Sequence, residues 1–95
     1  MNPALHSNWY CYIMQCADAS LYTGITNNLP QRLAAHNQGT ASRYTRSRLP
    51  VQLVFTETQD NRSQASKREA QLKKLSRLKK LALIEHYASC IEDGR

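Results

Sequence analysis

Five polar side chains in this sequence have the types and spacing that chemistry requires: Tyr12, Tyr22, Arg32, His36 and Glu69. An arginine offers a permanently charged fork that suits two phosphate oxygens. A carboxylate can hold one Mg²⁺ ion that keeps most of its shell as water. Phenols and imidazole, with ordinary pKa values of about 10 and about 6.5, are candidates to accept a proton from water. Such a set can hold an anion and activate water beside it.

Each of these residues also has an ordinary structural interpretation. A strand tyrosine usually packs its ring and leaves its hydroxyl in water, and an arginine on a helix is usually solvated. His36 is expected near a helix C-terminus, where positive charge is favourable. Glu69 precedes Lys73 by four residues, the spacing of a common helical ion pair. Taken singly, none of the residues predicts a function.

The two tyrosines are expected on a β-hairpin. Residues 9–15 (WYCYIMQ) and 21–26 (LYTGIT) favour strands, and the turn-prone residues 17–20 separate them. The first strand is predicted to be central, and Tyr12 and Tyr22 are expected to face each other across the sheet. Alternate side chains share a face, which groups Tyr10, Tyr12 and Met14 against Cys11 and Ile13.

Helices and a third strand follow. An asparagine pair, an early proline and a later glycine delimit a helix over about residues 29–37, which places Arg32 and His36 on one stripe. Residues 38–50 are expected to form a loop or an irregular short helix. The third strand, VQLVFTET, is predicted from the alternation of three apolar residues: Val51, Leu53 and Phe55.

The C-terminal half predicts two more helices, the second over residues 77–88 with Ser76 as its cap. The first helix has three candidate caps: Asp60, Asn61 and Ser63. Four leucines are expected on the inner face of these helices: Leu72, Leu75, Leu78 and Leu81. The predicted fold class is α+β, a small three-stranded antiparallel sheet flanked by helices.

Length, cysteines and hydropathy narrow the class of protein. Ninety-five residues predict one domain, with residues 1–8 and 89–95 as tails and residues 9–88 as the folded part. Three cysteines without CxxC spacing predict free thiols in a reducing cytoplasm, and no structural zinc site is expected. The apolar runs are far shorter than the roughly 20 residues that cross a bilayer.

Positive charge is concentrated in the middle of the chain. The formal net charge is +6, whereas residues 32–80 hold twelve Lys or Arg against three acidic residues, a net +9. Such a localised field attracts polyanions, and nucleic acid is the first candidate. A solvated lysine-rich surface is the equally weighted alternative. Tyr44, between arginines, is a candidate to stack on an unpaired base or simply to cover the core.

Taken together, the five residues resemble the GIY-YIG nuclease domain. In that family a tyrosine ends the first motif, a second tyrosine opens the second motif, and an arginine follows on the first helix; here these positions match Tyr12, Tyr22 and Arg32. The family position four residues later matches His36, and the metal-binding glutamate matches Glu69 within KREAQLKKL. The resemblance extends from about Trp9 to Leu83, and LYTGIT…QRLAAHN is most similar to the small stand-alone bacterial YhbQ-like group.

The motifs depart from the family pattern at several positions. The first motif is Tyr-Cys-Tyr and the second is Tyr-Thr-Gly, so both tyrosines and the final glycine remain. Ile25 occupies a position that is lysine in some family members, and the late asparagine of some members has no obvious match.

The resemblance implies a metal-dependent DNA endonuclease, with possible roles in DNA repair or in processing branched or single-stranded DNA. It implies catalytic Tyr12, Tyr22, Arg32 and His36, and a single Mg²⁺ or Mn²⁺ held by Glu69. Which phenol, or His36, accepts the proton stays open. Nucleic-acid contacts are predicted for a basic set with one tyrosine: Arg43, Tyr44, Arg46, Arg48, Lys67, Arg68, Lys73 and Lys74.

Two other functions compete with this prediction. A nucleic-acid-binding module with a degenerate nuclease site would bind DNA in a strongly salt-dependent way and form no product. An interaction domain would instead use the leucine-rich C-terminal helices to bind another protein.

Overall fold

A three-stranded antiparallel sheet with the order β2-β1-β3 forms the centre of the molecule. The structure, a computed structural model, describes residues 8–93 and the side chains of residues 8–90. The strands are β1 (Trp9–Gln15), β2 (Leu21–Thr26) and β3 (Gln52–Gln59), and the helices are α1 (Leu29–Asn37), α2 (Arg43–Arg46), α3 (Arg62–Lys74) and α4 (Arg77–Asp93). The predicted fold class and the central position of the first strand are confirmed.

Helices cover both faces of the sheet. On one face, α3 and α4 enclose an apolar cluster around Cys11 and Ile13, which we call the apolar layer. On the other face, Leu29 and Leu33 of α1 pack with Tyr12 and other side chains, and α1, α2 and this face form the site layer. The predicted division of β1 into two faces is therefore confirmed, and both faces are buried, as expected for a central strand.

The third strand contains a β-bulge, so its side chains do not alternate regularly as predicted. Ile13 pairs with Phe55, but the next residue of β1 pairs with Leu53, so Val54 is an extra residue. The bulge turns Phe55 into the apolar layer, whereas Val51 and Leu53 pack in the site layer. The three alternating residues therefore do not share a face.

Side-chain caps begin the helices, largely as predicted. The side chains of Asn28 and Asn61 accept hydrogen bonds from the third residue of α1 and α3, respectively. The hydroxyl of Ser76 accepts from the backbone of Lys79 at the start of α4. Residues 38–50 contain the short helix α2, one of the two predicted possibilities. The prediction that the last helix ends at residue 88 is wrong, because α4 continues to Asp93 through helix-compatible residues.

The leucine prediction is wrong at one position. Leu72 is fully buried, and Leu75 and Leu81 are partly buried, but Leu78 is 79% exposed. A new helix begins at Arg77, so the periodicity of α3 does not continue across the break. The spacing of three residues consequently does not keep Leu78 on the inner face.

The cysteine prediction agrees with the structure. Cys11 and Cys16 are buried free thiols, and Cys90 is an exposed one. Among the described residues, no helix is both long and apolar enough to span a membrane.

Candidate active site

Tyr12 lies buried on β1 directly opposite Gly24 of β2. A Cβ atom at Gly24 would lie 2.5 Å from the Tyr12 hydroxyl oxygen and 2.6 Å from its Cζ, so the buried phenol requires glycine here. Tyr22 lies two residues away on the same face of β2, with its ring centroid 6.4 Å from that of Tyr12. The two phenols are therefore close, as predicted, but they meet diagonally rather than directly across the strands.

A chain of buried hydrogen bonds runs from β1 through α1 to α2. The Tyr12 hydroxyl is 3.1 Å from Nε2 of His36. Nδ1 of the same ring is 2.8 Å from the Thr45 hydroxyl, which donates to the Ser42 carbonyl at 3.4 Å. Tyr12, His36 and Thr45 are at most 2% exposed. The chain satisfies polar groups that would otherwise be costly to bury.

Burial keeps both ends of the Tyr12–His36 pair uncharged near neutral pH. Burial is the main cause that raises the pKa of Tyr12 well above its ordinary value; Tyr22 and Glu69 raise it further, and Arg32 opposes them. Burial also lowers the pKa of His36, and the positive charge of Arg32 lowers it further. The phenol therefore retains its proton, while the neutral imidazole can accept one.

Aromatic packing extends from this pair toward the surface. The Tyr22 ring centroid is 5.1 Å from that of His36 and 6.0 Å from that of Tyr44, on which it stacks. The Arg48 guanidinium lies 4.0 Å from the Tyr44 ring centroid and pairs with Asp18 at 3.1 Å. Tyr44 thus already packs on Tyr22 and under Arg48, which is the covering role considered from the sequence. Its stacking on a base stays a prediction.

Arg32 lies at the edge of the site layer. It is half-buried, and with Thr26, Asn27, Gln31 and Ala35 it lines a cleft of about 290 Å³. Its charge acts on the pKa values of both Tyr12 and His36. The prediction that Arg32 and His36 share a helix is confirmed, although only Arg32 is open to solvent. This geometry suits a guanidinium that binds an anion next to a buried proton acceptor.

Glu69 comes from the opposite layer, on α3. Its side chain is 24% exposed and lies 3.2 Å from the Lys73 ammonium, so the predicted helical ion pair is present. Burial is the main cause that raises the pKa values of Tyr12 and Cys11, and the negative charge of Glu69 makes a smaller contribution to each increase. Among the side chains that the structure describes, those of residues 8–90, no three from His, Cys, Asp or Glu cluster as metal ligands. The donor set is thus one carboxylate, which fits Mg²⁺ or Mn²⁺ only with a largely aqueous shell.

The seven basic residues that were predicted to bind nucleic acid fall into two groups. One group has exposed side chains for which the described part of the chain shows no ion pair: Arg43, Arg46, Lys67 and Lys74. Arg68 forms hydrogen bonds to both oxygens of Glu57, and Arg48 and Lys73 pair with acidic side chains as described above. The paired cations are less available for phosphate groups, because a ligand would have to displace a carboxylate.

A second cleft joins residues from both layers at the outer edge of β2. It has a volume of about 260 Å³, and its lining comprises Leu21, Tyr22, Thr23, Tyr44, Lys73 and Lys80. Tyr44 and Lys73, which are far apart in sequence, therefore line the same cleft as Tyr22. Arg68 does not line this cleft; it borders a separate groove between α3 and α4.

Thr45 is the residue that the sequence analysis missed. Its position three residues after the helix cap Ser42 predicts a side chain that turns back toward the cap, but threonine at such a position is common. Contact with His36 depends on how α2 packs against α1, which local sequence does not report. The spacing of Ser42 and Thr45 in the SRYT segment is the only signal that the sequence itself carries.

Comparison with known proteins agrees with this geometry. A family model described as the GIY-YIG catalytic domain matches residues 8–82. The chain is 53% identical over 78 residues to UPF0213 protein DP2720 of Desulfotalea psychrophila, covering 81% of this chain and 71% of the relative. It is also 53% identical over 75 residues to UPF0213 protein CPE1444 of Clostridium perfringens, covering 79% and 81% of the two chains.

Two solution NMR structures share the fold. UPF0213 protein BH0048 from Bacillus halodurans has 40% identity and a TM-score of 0.53, with 82% of this chain and 83% of that chain covered. The E. faecalis protein EF2693 has 38% identity and a TM-score of 0.56, with 85% and 88% covered. With its two motif tyrosines and motif glycine packed together in a fold shared with these relatives, the chain belongs to the GIY-YIG catalytic-domain family.

Proposed function

We propose that this protein is a metal-dependent endonuclease that hydrolyses phosphodiester bonds in DNA. The observation that carries the proposal is the buried hydrogen bond between Tyr12 and His36 beside the partly exposed Arg32, within a GIY-YIG fold. Phosphodiester hydrolysis requires a cationic group for the phosphate and an acceptor for the proton of water. Arg32 and the Tyr12–His36 pair supply these two functions.

His36 is the proton acceptor in this proposal, and Tyr12 transmits the proton. Because burial raises its pKa, the Tyr12 phenol is protonated before the reaction and is not itself the base. Its oxygen takes a proton from the attacking water while its own proton passes to Nε2 of His36, 3.1 Å away. Tyr22, which is less buried, orients the water or a phosphate oxygen. The oxygen of water bonds to phosphorus, the ester bond breaks, and the leaving oxygen takes a proton from solvent.

Arg32 and Glu69 complete the charge balance. Arg32 binds two phosphate oxygens from its cleft and stabilises the charge that develops on them. Glu69 would hold one Mg²⁺ or Mn²⁺. Its ion pair with Lys73 would then break, or the carboxylate would bind both cations. Such an ion supplies additional positive charge to offset that of the phosphate.

The exposed basic side chains would hold the DNA backbone with little sequence preference. Duplex, branched and single-stranded DNA are all candidate substrates, and repair or processing of branched or single-stranded DNA is the candidate role. The free thiols fit action in a reducing cytoplasm.

Cleavage of a labelled panel of single-stranded, duplex, flap and branched DNA tests the proposal, in Mg²⁺, Mn²⁺ or EDTA. The native protein is expected to give metal-dependent products. Arg32→Ala and Glu69→Gln should each reduce cleavage by at least about 100-fold, because each removes charge stabilisation from the reacting phosphate. Circular dichroism and thermal unfolding should remain close to those of the native protein.

Two matched variants serve as controls. Gln38→Ala changes an exposed residue at the end of α1, outside the Arg32 cleft, and Glu85→Gln removes an exposed carboxylate from α4; both should cleave at the native rate. Native cleavage by Arg32→Ala or Glu69→Gln would overturn the corresponding catalytic role. Salt-dependent DNA binding without products under every condition would favour the binding module with a degenerate site.

A further inference from the structure

Thr45 is a fully buried polar residue to which the proposed reaction gives no direct role. It is 0% exposed on the four-residue helix α2, and its hydroxyl is 2.8 Å from Nδ1 of His36. A neutral imidazole carries one proton, on either Nδ1 or Nε2, and the neighbour of one nitrogen decides which. The partner of Nδ1 therefore determines whether Nε2 can accept a proton from Tyr12.

We propose that Thr45 is a positioning residue that holds neutral His36 in the tautomer with its proton on Nδ1. In this arrangement the Thr45 hydroxyl accepts from Nδ1 and donates its own proton to the Ser42 carbonyl, 3.4 Å away. Nε2 is then unprotonated and accepts from the Tyr12 hydroxyl at 3.1 Å. The protons on the Tyr12 hydroxyl, on Nδ1 of His36 and on the Thr45 hydroxyl then each have an acceptor. All three hydrogen bonds run in the same direction, from Tyr12 toward the Ser42 carbonyl.

The opposite tautomer leaves one buried proton without an acceptor. If Nε2 carried the proton, it would donate to the Tyr12 oxygen, and the Thr45 hydroxyl would donate to Nδ1. The Tyr12 proton would then have no acceptor among the described residues, where the His36 contact is the only side-chain hydrogen bond of that hydroxyl. A buried donor without an acceptor costs about 1–3 kcal/mol. The tautomer with its proton on Nδ1 avoids this cost.

Helix α2 is anchored so that Thr45 stays at His36. The Ser42 hydroxyl accepts hydrogen bonds from the backbone N–H groups of Tyr44 and Thr45. The Thr45 carbonyl accepts from the backbone N–H of Arg48, whose side chain also donates to the Tyr44 carbonyl. These bonds hold a very short helix that would not persist by itself. The segment between α1 and β3 thus places an acceptor at Nδ1.

The consequence for catalysis rests on the proposed function. When water gives a proton to Tyr12 and Tyr12 gives its proton to Nε2, the imidazolium retains its Nδ1 proton and its bond to Thr45. Without Thr45, His36 would spend part of its time with Nε2 protonated and unable to accept. Thr45 would then raise the rate without touching the reacting atoms.

Nitrogen-15 NMR of the histidine rings measures the tautomer without any cleavage reaction. Protonated and unprotonated imidazole nitrogens have well-separated chemical shifts, and loss of signals in a His36→Gln variant assigns them. Above pH 7 the native protein should show a protonated Nδ1 and an unprotonated Nε2. A native His36 with its proton on Nε2 would overturn the proposal, even if no Thr45 variant folds.

Variants at Thr45 separate positioning from general stability. Thr45→Val should move part or all of the His36 population to the tautomer with Nε2 protonated, whereas Thr45→Ser should keep the native signals. Thr56→Val is the matched control, because it removes a hydrogen bond of 2.9 Å to Tyr87 on α4 and leaves in place both partners of the His36 ring, Tyr12 and Thr45. An unchanged His36 tautomer in folded Thr45→Val would overturn the proposal.

The cleavage assay then follows the same variants. Thr45→Val should lower kcat by about 10- to 100-fold, with Thr45→Ser and Thr56→Val near the native value. Native kcat in folded Thr45→Val would contradict the catalytic part of the inference. A native protein that has the expected tautomer but cuts no DNA would refute the proposed function and support the tautomer assignment.

Discussion

The two layers of this small protein bury different kinds of side chain against one sheet. In the apolar layer, the buried cluster consists of Cys11, Ile13, Phe55, Ala65 and Leu72. In the site layer, Tyr12, His36 and Thr45 are buried to the same degree but carry three linked polar groups. Apolar burial has no preferred direction, whereas a hydrogen-bond chain orients each member. The apolar layer therefore supplies stability without direction, and the site layer holds its polar groups in one ordered chain of hydrogen bonds.

Glu69 is connected with both layers. It projects from a helix of the apolar layer, yet its charge acts on Tyr12 in the site layer. A small sheet allows this, because α3 packs against β2 and β1 close to the sheet edge. Glu69 and Arg32 thus project from helices on opposite faces of the sheet, each side chain is partly exposed, and the charge of each contributes to the pKa of Tyr12.

Truncation of Leu72 is expected to have the largest effect on stability. Leu72 is 0% exposed in the apolar layer, so Leu72→Ala should reduce the free energy of unfolding by about 2–5 kcal/mol through lost burial and a residual cavity. Leu78→Ala is the matched control on α4, because Leu78 is 79% exposed and should change stability little. Urea unfolding measures both. Equal losses in the two variants would contradict the assignment of Leu72 to the core.

Substitution of Gly24 should have an intermediate effect, because it crowds the site layer. The added Cβ atom of Gly24→Ala would overlap the Tyr12 phenol, and the expected loss is about 1–3 kcal/mol in the free energy of unfolding. A shorter side chain removes the conflict, so Gly24→Ala should cost much less in a Tyr12→Leu background. Urea unfolding of the four proteins gives the coupling. Equal costs in both backgrounds would show that Tyr12 is not the source of the strain.

The pH dependence of stability should show the smallest effect. Because the pKa of His36 is lowered in the folded protein, the unfolded state binds a proton first as the pH falls below about 6.5. The contribution of neutral His36 to stability is therefore fully present above this pH and is lost on acidification toward its folded pKa. His36→Gln should have a shallower decline in unfolding free energy over this range. Identical slopes in the native and variant proteins would contradict the neutral buried state.

Local sequence was sufficient for most of the secondary structure. Runs of aromatic, β-branched and long apolar residues around a turn-prone segment predicted the hairpin, and Asn28 and Ser76 correctly indicated helix starts. Caps and strand periodicity are properties of a few neighbouring residues, so one sequence reports them. The bulge at Val54 and the exposure of Leu78 were not predictable in this way, because each depends on how an element meets its partners.

The sequence by itself determined which groups are available to the site: two phenols, a guanidinium, an imidazole and a carboxylate at family-like spacing. Only the tertiary structure decided their states. It buried Tyr12 against Gly24, joined His36 to Thr45, and left Arg32 at the surface. Residue type sets an intrinsic pKa and a hydrogen-bonding capacity, but burial and partners set the protonation state and direction. Those partners come from different elements, so their meeting is a property of the packed fold.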